Sequence, residues 1–374
     1  MIYLHIPWCR VLCPYCAFVV AVEADPPWQR FVDAALLDFE RQSTEGVDLA
    51  STLYLGGGTP SLMPLPELQR LLAGIPRAPG AELTLEVNPG TVDRQRLREV
   101  LDLGVTRLSL GIQTFQRAHA QRLGRDHDVR AAERLLDDIA ALPVPSWSLD
   151  LMFALPGQTL AELEADLDRV LDLGPPHVSL YGLTYEPGTA FHARRAQGRM
   201  QEVDEELWRA MYLRIAERLT GSGWQHYEIS NFARPGHRSR HNEQIWQGGH
   251  YLGLGPGAHG YLPPAPAAPW GRRTVNGADI GAWMADPRPV VEVLDGRTWA
   301  SDLLLSSLRH EAGVEVERLR EAGFELSSST VQVLVRGGLL EESEGRLRLS
   351  REGRLLGDGV TAKLIAGLRA TDVG

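Results

Sequence analysis

The chain has 374 residues, 44% of them hydrophobic, enough for one large barrel-type domain with a smaller one beside it, or for two to three ordinary domains. Its formal net charge of −10 argues against nucleic-acid binding driven by phosphate contacts. No apolar run reaches the ~18 residues of a membrane span, and no basic-then-apolar signal precedes the first predicted strand, so a cytoplasmic location is expected.

That strand, predicted over 1–7, runs straight into Trp8-Cys-Arg-Val-Leu-Cys-Pro-Tyr-Cys16. Cys9, Cys13 and Cys16 are the chain's three cysteines, spaced C-x3-C-x2-C on one short loop. Three thiolates there can hold three irons of a [4Fe–4S] cube, whose full protein set would be four cysteines, leaving the fourth iron open to a small molecule. Zinc would want four N/S ligands and finds only His5 nearby. A disulfide framework does not suit a long chain with an odd cysteine count. An origin as packed core residues leaves their confinement to eight positions unexplained.

Further strands are predicted at 52–55, 82–87, 107–112, 148–153 and 178–183, and helices at 28–42, 65–72, 93–103, 129–141, 160–171 and 205–219. This alternation predicts a parallel sheet with right-handed crossovers, and six units make a partial (β/α)6 barrel of the α/β class. Chemistry in such a barrel sits beyond the C-terminal ends of the strands. There the second strand ends in Gly56-Gly-Gly-Thr-Pro60, whose glycines let backbone approach a ligand closely, or simply make a tight turn. The third ends in Glu86-Val-Asn-Pro89. The fourth ends in Gly111-Ile-Gln-Thr-Phe115, with Arg125 following in Leu123-Gly-Arg-Asp-His127. The fifth carries Asp150. A carboxylate in an apolar strand is costly unless it is paired or holds a ligand. Glu86 and Asp150 therefore face either ribose hydroxyls or an ammonium, or an internal bridge to Arg107 or Arg125.

Beyond the barrel, the Pro/Ala-rich segment 262–270 reads as an extended loop or linker. Helices at 302–309, 316–321 and 329–336 and a hairpin near 339–349 predict a winged-helix-like α+β domain. Ten basic against twelve acidic residues over 301–374 give it no basic face for DNA, and a docking or capping role is expected. The expected division is a barrel over 1–230, an extension over 231–300 and the winged-helix-like domain over 301–374.

Taken in order, HIPWC with its two further cysteines, GGGTPS, EVNP, GIQTF, LGRDH and DLMFALPGQT resemble the oxygen-independent coproporphyrinogen III oxidase-like group of radical S-adenosylmethionine (SAM) proteins. The resemblance spans the whole barrel. It implies a [4Fe–4S] cluster on Cys9, Cys13 and Cys16, with SAM on the open iron. It also implies a SAM site lined by Tyr3, Gly57, Gly58, Thr59, Glu86, Gln113, Arg125 and Asp150, with Tyr15 beside the cluster.

The group has two branches. The decarboxylating oxidase carries a fourth cysteine two residues after the third, where this chain has Phe18, and a long segment before the first strand. Both departures resemble the heme-carrier branch, whose H-N-x-x-Y-W signature is met by His241, Asn242 and Trp246, with Ile245 in place of the tyrosine. The resemblance implies heme as cargo, recipient apo-hemoproteins as partners and an electron donor for the cluster. It makes His241 the candidate heme ligand, Trp246 a packing surface and Arg238 or Arg240 the propionate partner. A structured loop with satisfied histidines is the plainer reading of 237–246. The alternative function is radical decarboxylation of coproporphyrinogen III propionates; another acidic substrate is a third.

Overall fold

Side chains alternate along the strands of the first half, and the two faces carry opposite chemistry. The structure, a computed structural model, describes residues 1–43, 49–125 and 129–371, so Asp126 and His127 of the LGRDH motif lie outside the described residues. Six parallel strands follow one another in space in chain order: β1 Ile2–Ile6, β2 Ala50–Gly57, β3 Arg77–Val87, β4 Arg107–Gln113, β5 Ser146–Phe153 and β6 His177–Gly182. Helices return the chain between them: α1 Trp28–Gln42, α2 Leu65–Gly74, α3 Arg94–Asp102, α4 Arg117–Arg122 with α5 Val129–Ala140, and α6 Leu160–Leu173. After β6 come α7 Ala190–Ala196 and α8 Glu205–Gly221. This is the expected partial (β/α)6 barrel.

Leu4, Leu53, Leu55, Leu85, Leu108, Leu110, Leu149 and Val178 belong to one buried core packed under the helices. The opposite faces are in register as Tyr3 beside Tyr54, Tyr54 beside Thr84, and Thr84 beside Arg107, and they enclose a polar lumen. Parallel strands covered on both sides usually read as continuous apolar runs. Here the inner face is polar, as an interior that holds a polar ligand requires.

Sequence beyond residue 230 completes the sheet. The strands β7 Gln225–His226 and β8 Asn231–Ala233 extend it antiparallel past β6, and β9 Leu252–Leu254 adds parallel beside β1. The division expected at 230 therefore runs through a single sheet, because β1 and β6 would otherwise be open edges. Between β8 and β9 lies α9 Arg240–Trp246.

The Pro/Ala-rich segment is not a linker. Leu262 ends β10 His259–Leu262, which pairs antiparallel with β11 Arg272–Val275, and the intervening residues form their turn, closed by an Ala265–Ala268 bridge. Its prolines lack the N–H a ladder needs, which keeps them in the turn. The strand β12 Val290–Val293 completes this small sheet, after α10 Ile280–Ala285.

A second apolar core, including Leu304, Leu319, Leu334, Leu347 and Leu364, holds the C-terminal part together. Its helices are α11 Gly296–Ser307, α12 Val316–Glu321 and α13 Ser328–Arg336, followed by the hairpin β13 Leu340–Ser343 and β14 Arg346–Leu349. The first begins earlier than predicted because Asp295 caps it through the Thr298 amide. Two further helices, Arg351–Leu355 and Gly357–Ala366, close the domain. Among the described residues no helix is long and apolar enough to cross a membrane.

Candidate metal and cofactor site

The cysteine loop is fixed at its base by Trp8, which is fully buried and meets Trp28 and Phe31 edge-on at 4.7 and 5.1 Å. Beyond it the Cys16 amide donates to the Cys13 carbonyl at 3.1 Å, and all three thiols are free and partly exposed. The Thr59 hydroxyl approaches Cys9 Sγ at 3.5 Å and Arg125 Nη1 approaches Cys13 Sγ at 3.9 Å. Burial pushes the Cys9 thiol up to about 11 and raises Cys16 as well, so metal insertion must displace protons.

His5 is not a fourth zinc ligand. Its Nε2 lies 2.7 Å from the Val19 carbonyl and its Nδ1 3.2 Å from the Tyr3 hydroxyl. Among the described residues no three thiol, imidazole or carboxylate groups converge on a point where one ion would sit. A cube suits such a set better, since each thiolate takes a different iron.

Next to the thiols lies a cavity of about 340 Å³, within the range of small-molecule sites. Cys9, Cys13, Cys16, Tyr15, Gly57, Gly58, Thr59, Glu86, Gln113, Arg125 and Asp150 all line it. Tyr3 does not; it sits one layer deeper, beneath Gly56, with its hydroxyl on His5. Tyr54, Asn88 and Tyr181 also line the cavity, although their motifs did not single them out. The period-two pattern offered a signal for Tyr54, which shares the lumen face with Gly56.

The glycines are required. Gly57 sits at φ +109, where it donates its N–H to Glu86 Oε2 at 3.1 Å, and a Cβ there would meet the His5 ring at 2.6 Å. A Cβ on Gly58 would lie 2.8 Å from the Trp8 carbonyl oxygen. The Tyr54 hydroxyl donates to Glu86 Oε1 at 2.9 Å, and Asp150 accepts from Ser109 at 2.5 Å and Ser148 at 2.7 Å.

The internal bridges considered for these carboxylates do not form. Arg107 turns to Glu82, at 3.1 Å, while Arg125 donates to Asn88 Oδ1 at 2.7 Å and to the Gly111 carbonyl at 2.8 Å. Arg125 Nε is buried without a partner. Burial drives the Glu86 carboxyl up to about 7, against the pull of Tyr54 and Gly57, and raises Asp150 too. Two half-buried carboxyls lacking a cation, a backbone cradle and an orphaned guanidinium nitrogen fit a ligand that carries an ammonium, hydroxyls and a carboxylate.

Residues 3–170 match the Radical SAM superfamily. Over 375 aligned positions the chain is 32% identical to the heme chaperone HemW of Lactococcus lactis, an alignment covering 97% of this chain and 96% of that protein. The heme chaperone HemW of Bacillus subtilis is 33% identical, with 98% and 99% covered. The chain belongs to the heme chaperone HemW family. The Escherichia coli member is 40% identical over 266 residues, 69% of each chain. Coproporphyrinogen III oxidase HemN of Escherichia coli, a radical SAM enzyme, superposes with a TM-score of 0.79 over 97% of this chain and 89% of its own, at 20% identity, and so shares the fold.

In this HemW-family chain the helix α9, which carries the HN-x-x-x-W segment, has two faces. His241 points into the base of the lumen and is 2% exposed. Its Nδ1 lies 2.8 Å from Thr52 Oγ1, its ring is 5.2 Å from that of Tyr54, and its backbone N–H donates to Glu82 at 3.1 Å. Burial, then the N-terminal ammonium, lower its pKa to about 3, so the ring is neutral. Arg238 is paired with Glu243 and Glu311, and Arg240 donates to the Gly80 carbonyl.

The expected heme ligand and its arginines therefore do not meet on any surface a porphyrin can reach; position 241 faces β2 and β3. Ile245 and Trp246 face outward and line a different, larger groove. His241→Ala is expected to lower stability by about 1–3 kcal/mol, because the buried Thr52 hydroxyl loses its partner, and to leave heme retention unchanged. Urea unfolding and gel filtration with heme check the two halves of that expectation.

Proposed function

We propose that this protein is a cytoplasmic heme chaperone: it binds heme, carries a [4Fe–4S] cluster with SAM in its barrel, and hands heme to apo-hemoproteins. Kinship with heme chaperones along the full chain supports the reading. The observation that carries it is the separation of two cavities. Oxidation of a porphyrinogen propionate would need the tetrapyrrole in contact with SAM at the cluster, yet only about 340 Å³ is open there. About 990 Å³ is open elsewhere, outside the barrel and beside Trp246. Phe18, where the oxidase branch has its fourth cysteine, is 65% exposed.

In the barrel Cys9, Cys13 and Cys16 hold the cluster, which supplies one-electron chemistry to SAM when both are bound. Gly57, Glu86 and Asp150 orient the polar end of SAM, and Arg125 neutralises charge beside Cys13. Leu12 and Phe18, both exposed at this end of the barrel, offer an apolar surface to an electron donor.

Anaerobic heme titration of the cluster-reconstituted protein, followed by gel filtration, tests the reading. Roughly stoichiometric retention is expected, with coproporphyrinogen III unchanged after incubation with SAM and reductant. Loss of heme on the column, or a vinyl-bearing product, overturns it.

Glu86 sets a pH dependence. SAM, as a cation, prefers the ionised carboxylate, so its affinity should rise as pH climbs through about 7 and level off above. Glu86→Gln should weaken SAM binding roughly tenfold or more and flatten that profile, the size expected for a hydrogen bond to a charged group. In the absence of SAM the sign for stability is opposite: a raised carboxyl pKa favours the fold at low pH, and that contribution fades as pH rises toward 7. Calorimetric titrations at pH 6 and pH 8 give the answer.

A further inference from the structure

We propose that heme is held in the groove between the barrel and the C-terminal domain, with its iron on His259 and its propionates on Arg309 and Arg318. The proposal rests on the heme-chaperone reading and places the cargo site that reading leaves open. The groove encloses about 990 Å³, at the upper end of the range for small-molecule sites.

Its walls have the chemistry of a flat apolar disc with two carboxylates. Trp246, Tyr261 and Trp299 supply aromatic faces from both sides. Leu305 and Leu356, 48% and 57% exposed, also line it, and a bound disc would cover them. In a chain of net charge −10 the groove is lined by four arginines against two aspartates. One of them, Arg273, is neutralised by Asp302 and Glu292. Arg309, Arg318 and Arg354 have no carboxylate within ion-pair distance among the described residues.

Arg309 lies over the Trp246 ring at 5.0 Å with its Nε buried and unpartnered, and Trp246 Nε1 is unpartnered too. Arg318 donates to the Gln247 carbonyl at 3.1 Å and stands 5.9 Å from the Trp299 ring. Both guanidinium groups keep donors free for a carboxylate.

His259 reaches this wall through its local backbone. A Cβ on Gly253 would collide with the His259 carbonyl oxygen at 1.9 Å, and one on Gly255 would stand 2.3 Å from that of His5. Glycine at both positions, with Gly255 at φ +92 and Gly257 at φ +72, lets the chain fold tightly from β9 into β10. The first residue of β10 is then His259, on the same strand face as Tyr261 two positions on. It is the one imidazole lining the groove among the described residues; its side chain is exposed, and its ring makes no side-chain hydrogen bond there. A free imidazole nitrogen is a common axial donor to heme iron.

The test titrates ferric heme into the cluster-reconstituted full chain, reading the Soret band for ligation and gel filtration for retention. His259→Ala is expected to lose the wild-type Soret position and at least tenfold in affinity, and His259→Met to bind with a shifted Soret band. Arg318→Glu should lose about tenfold in affinity with the band unmoved. Cluster absorbance and SAM binding, unchanged in all three, report that the barrel is intact.

If the wild type retains no heme, the chaperone reading itself fails. If the wild type retains heme and His259→Ala binds it with the same band and affinity, the chaperone reading stands and the groove assignment is overturned. Binding of metal-free protoporphyrin as tight as that of heme, and equal in His259→Ala, removes His259 as the ligand.

Discussion

Serine at any one of Cys9, Cys13 or Cys16 abolishes the visible absorbance of the reconstituted cluster, and SAM retention with it. The reason lies in what surrounds the loop. An iron corner needs a soft thiolate, and no substitute is within reach: the chain has no fourth cysteine, and His5 is committed to Val19 and Tyr3. Serine differs from cysteine by one atom at a partly exposed position, so the unfolding free energy of the cluster-free protein should change by less than about 1 kcal/mol. The loss is then chemical and not structural. Iron content per chain and the visible spectrum are the measurement, and a protein that keeps its cluster with two of the three positions changed would show that the thiols are not the ligands. Heme retention should survive in these variants, because the groove shares no lining residue with the cluster cavity.

Most of the barrel was legible because its strands alternate. Every predicted strand overlaps an observed one, and α1 matches the predicted 28–42 at both ends. The cysteine loop and the motifs after β2 to β5 converge on one cavity, since a parallel barrel brings the C-terminal ends of its strands to the same mouth. Tyr3 was misplaced by a single layer, which no motif encodes.

The second half was harder. The short strands β8 and β9 have three residues each, too few for a period, and reach the sheet only through ladder bonds to β6 and β1. His241 illustrates the deeper difficulty. A signature names residue types on a helix, but which of them turn inward depends on where the helix docks. Here Glu82 accepts the amides of Arg240 and His241, which rotates His241 into the lumen and Trp246 out of it. The groove is built from short segments scattered between Gly182 and Thr361, and no local pattern announces it.

Arg107→Met should destabilise the fold by about 3–5 kcal/mol, the cost of removing one partner from a buried ion pair. Arg107 is 3% exposed and Glu82 8%. The guanidinium donates from Nε to Glu82, and from Nη2 to the carbonyls of His237 at 2.6 Å and Arg238 at 2.8 Å. Methionine keeps much of the stem's volume, so little of the effect is lost packing. What remains is a buried carboxylate held only by the amides of Arg240 and His241, and two carbonyls without donors.

Glu82→Gln in the same chain should recover part of the loss by removing the stranded charge. Because this pair seats the N-terminal end of α9 and Trp246 lies at the other end, Arg107→Met should also weaken heme binding without touching the groove. Urea unfolding of the single and double variants, with heme titration on the same samples, separates the two effects. A loss under about 1 kcal/mol would mean that water replaces the pair. A large loss with heme affinity unchanged would mean that Trp246 keeps its place without the anchor beneath it.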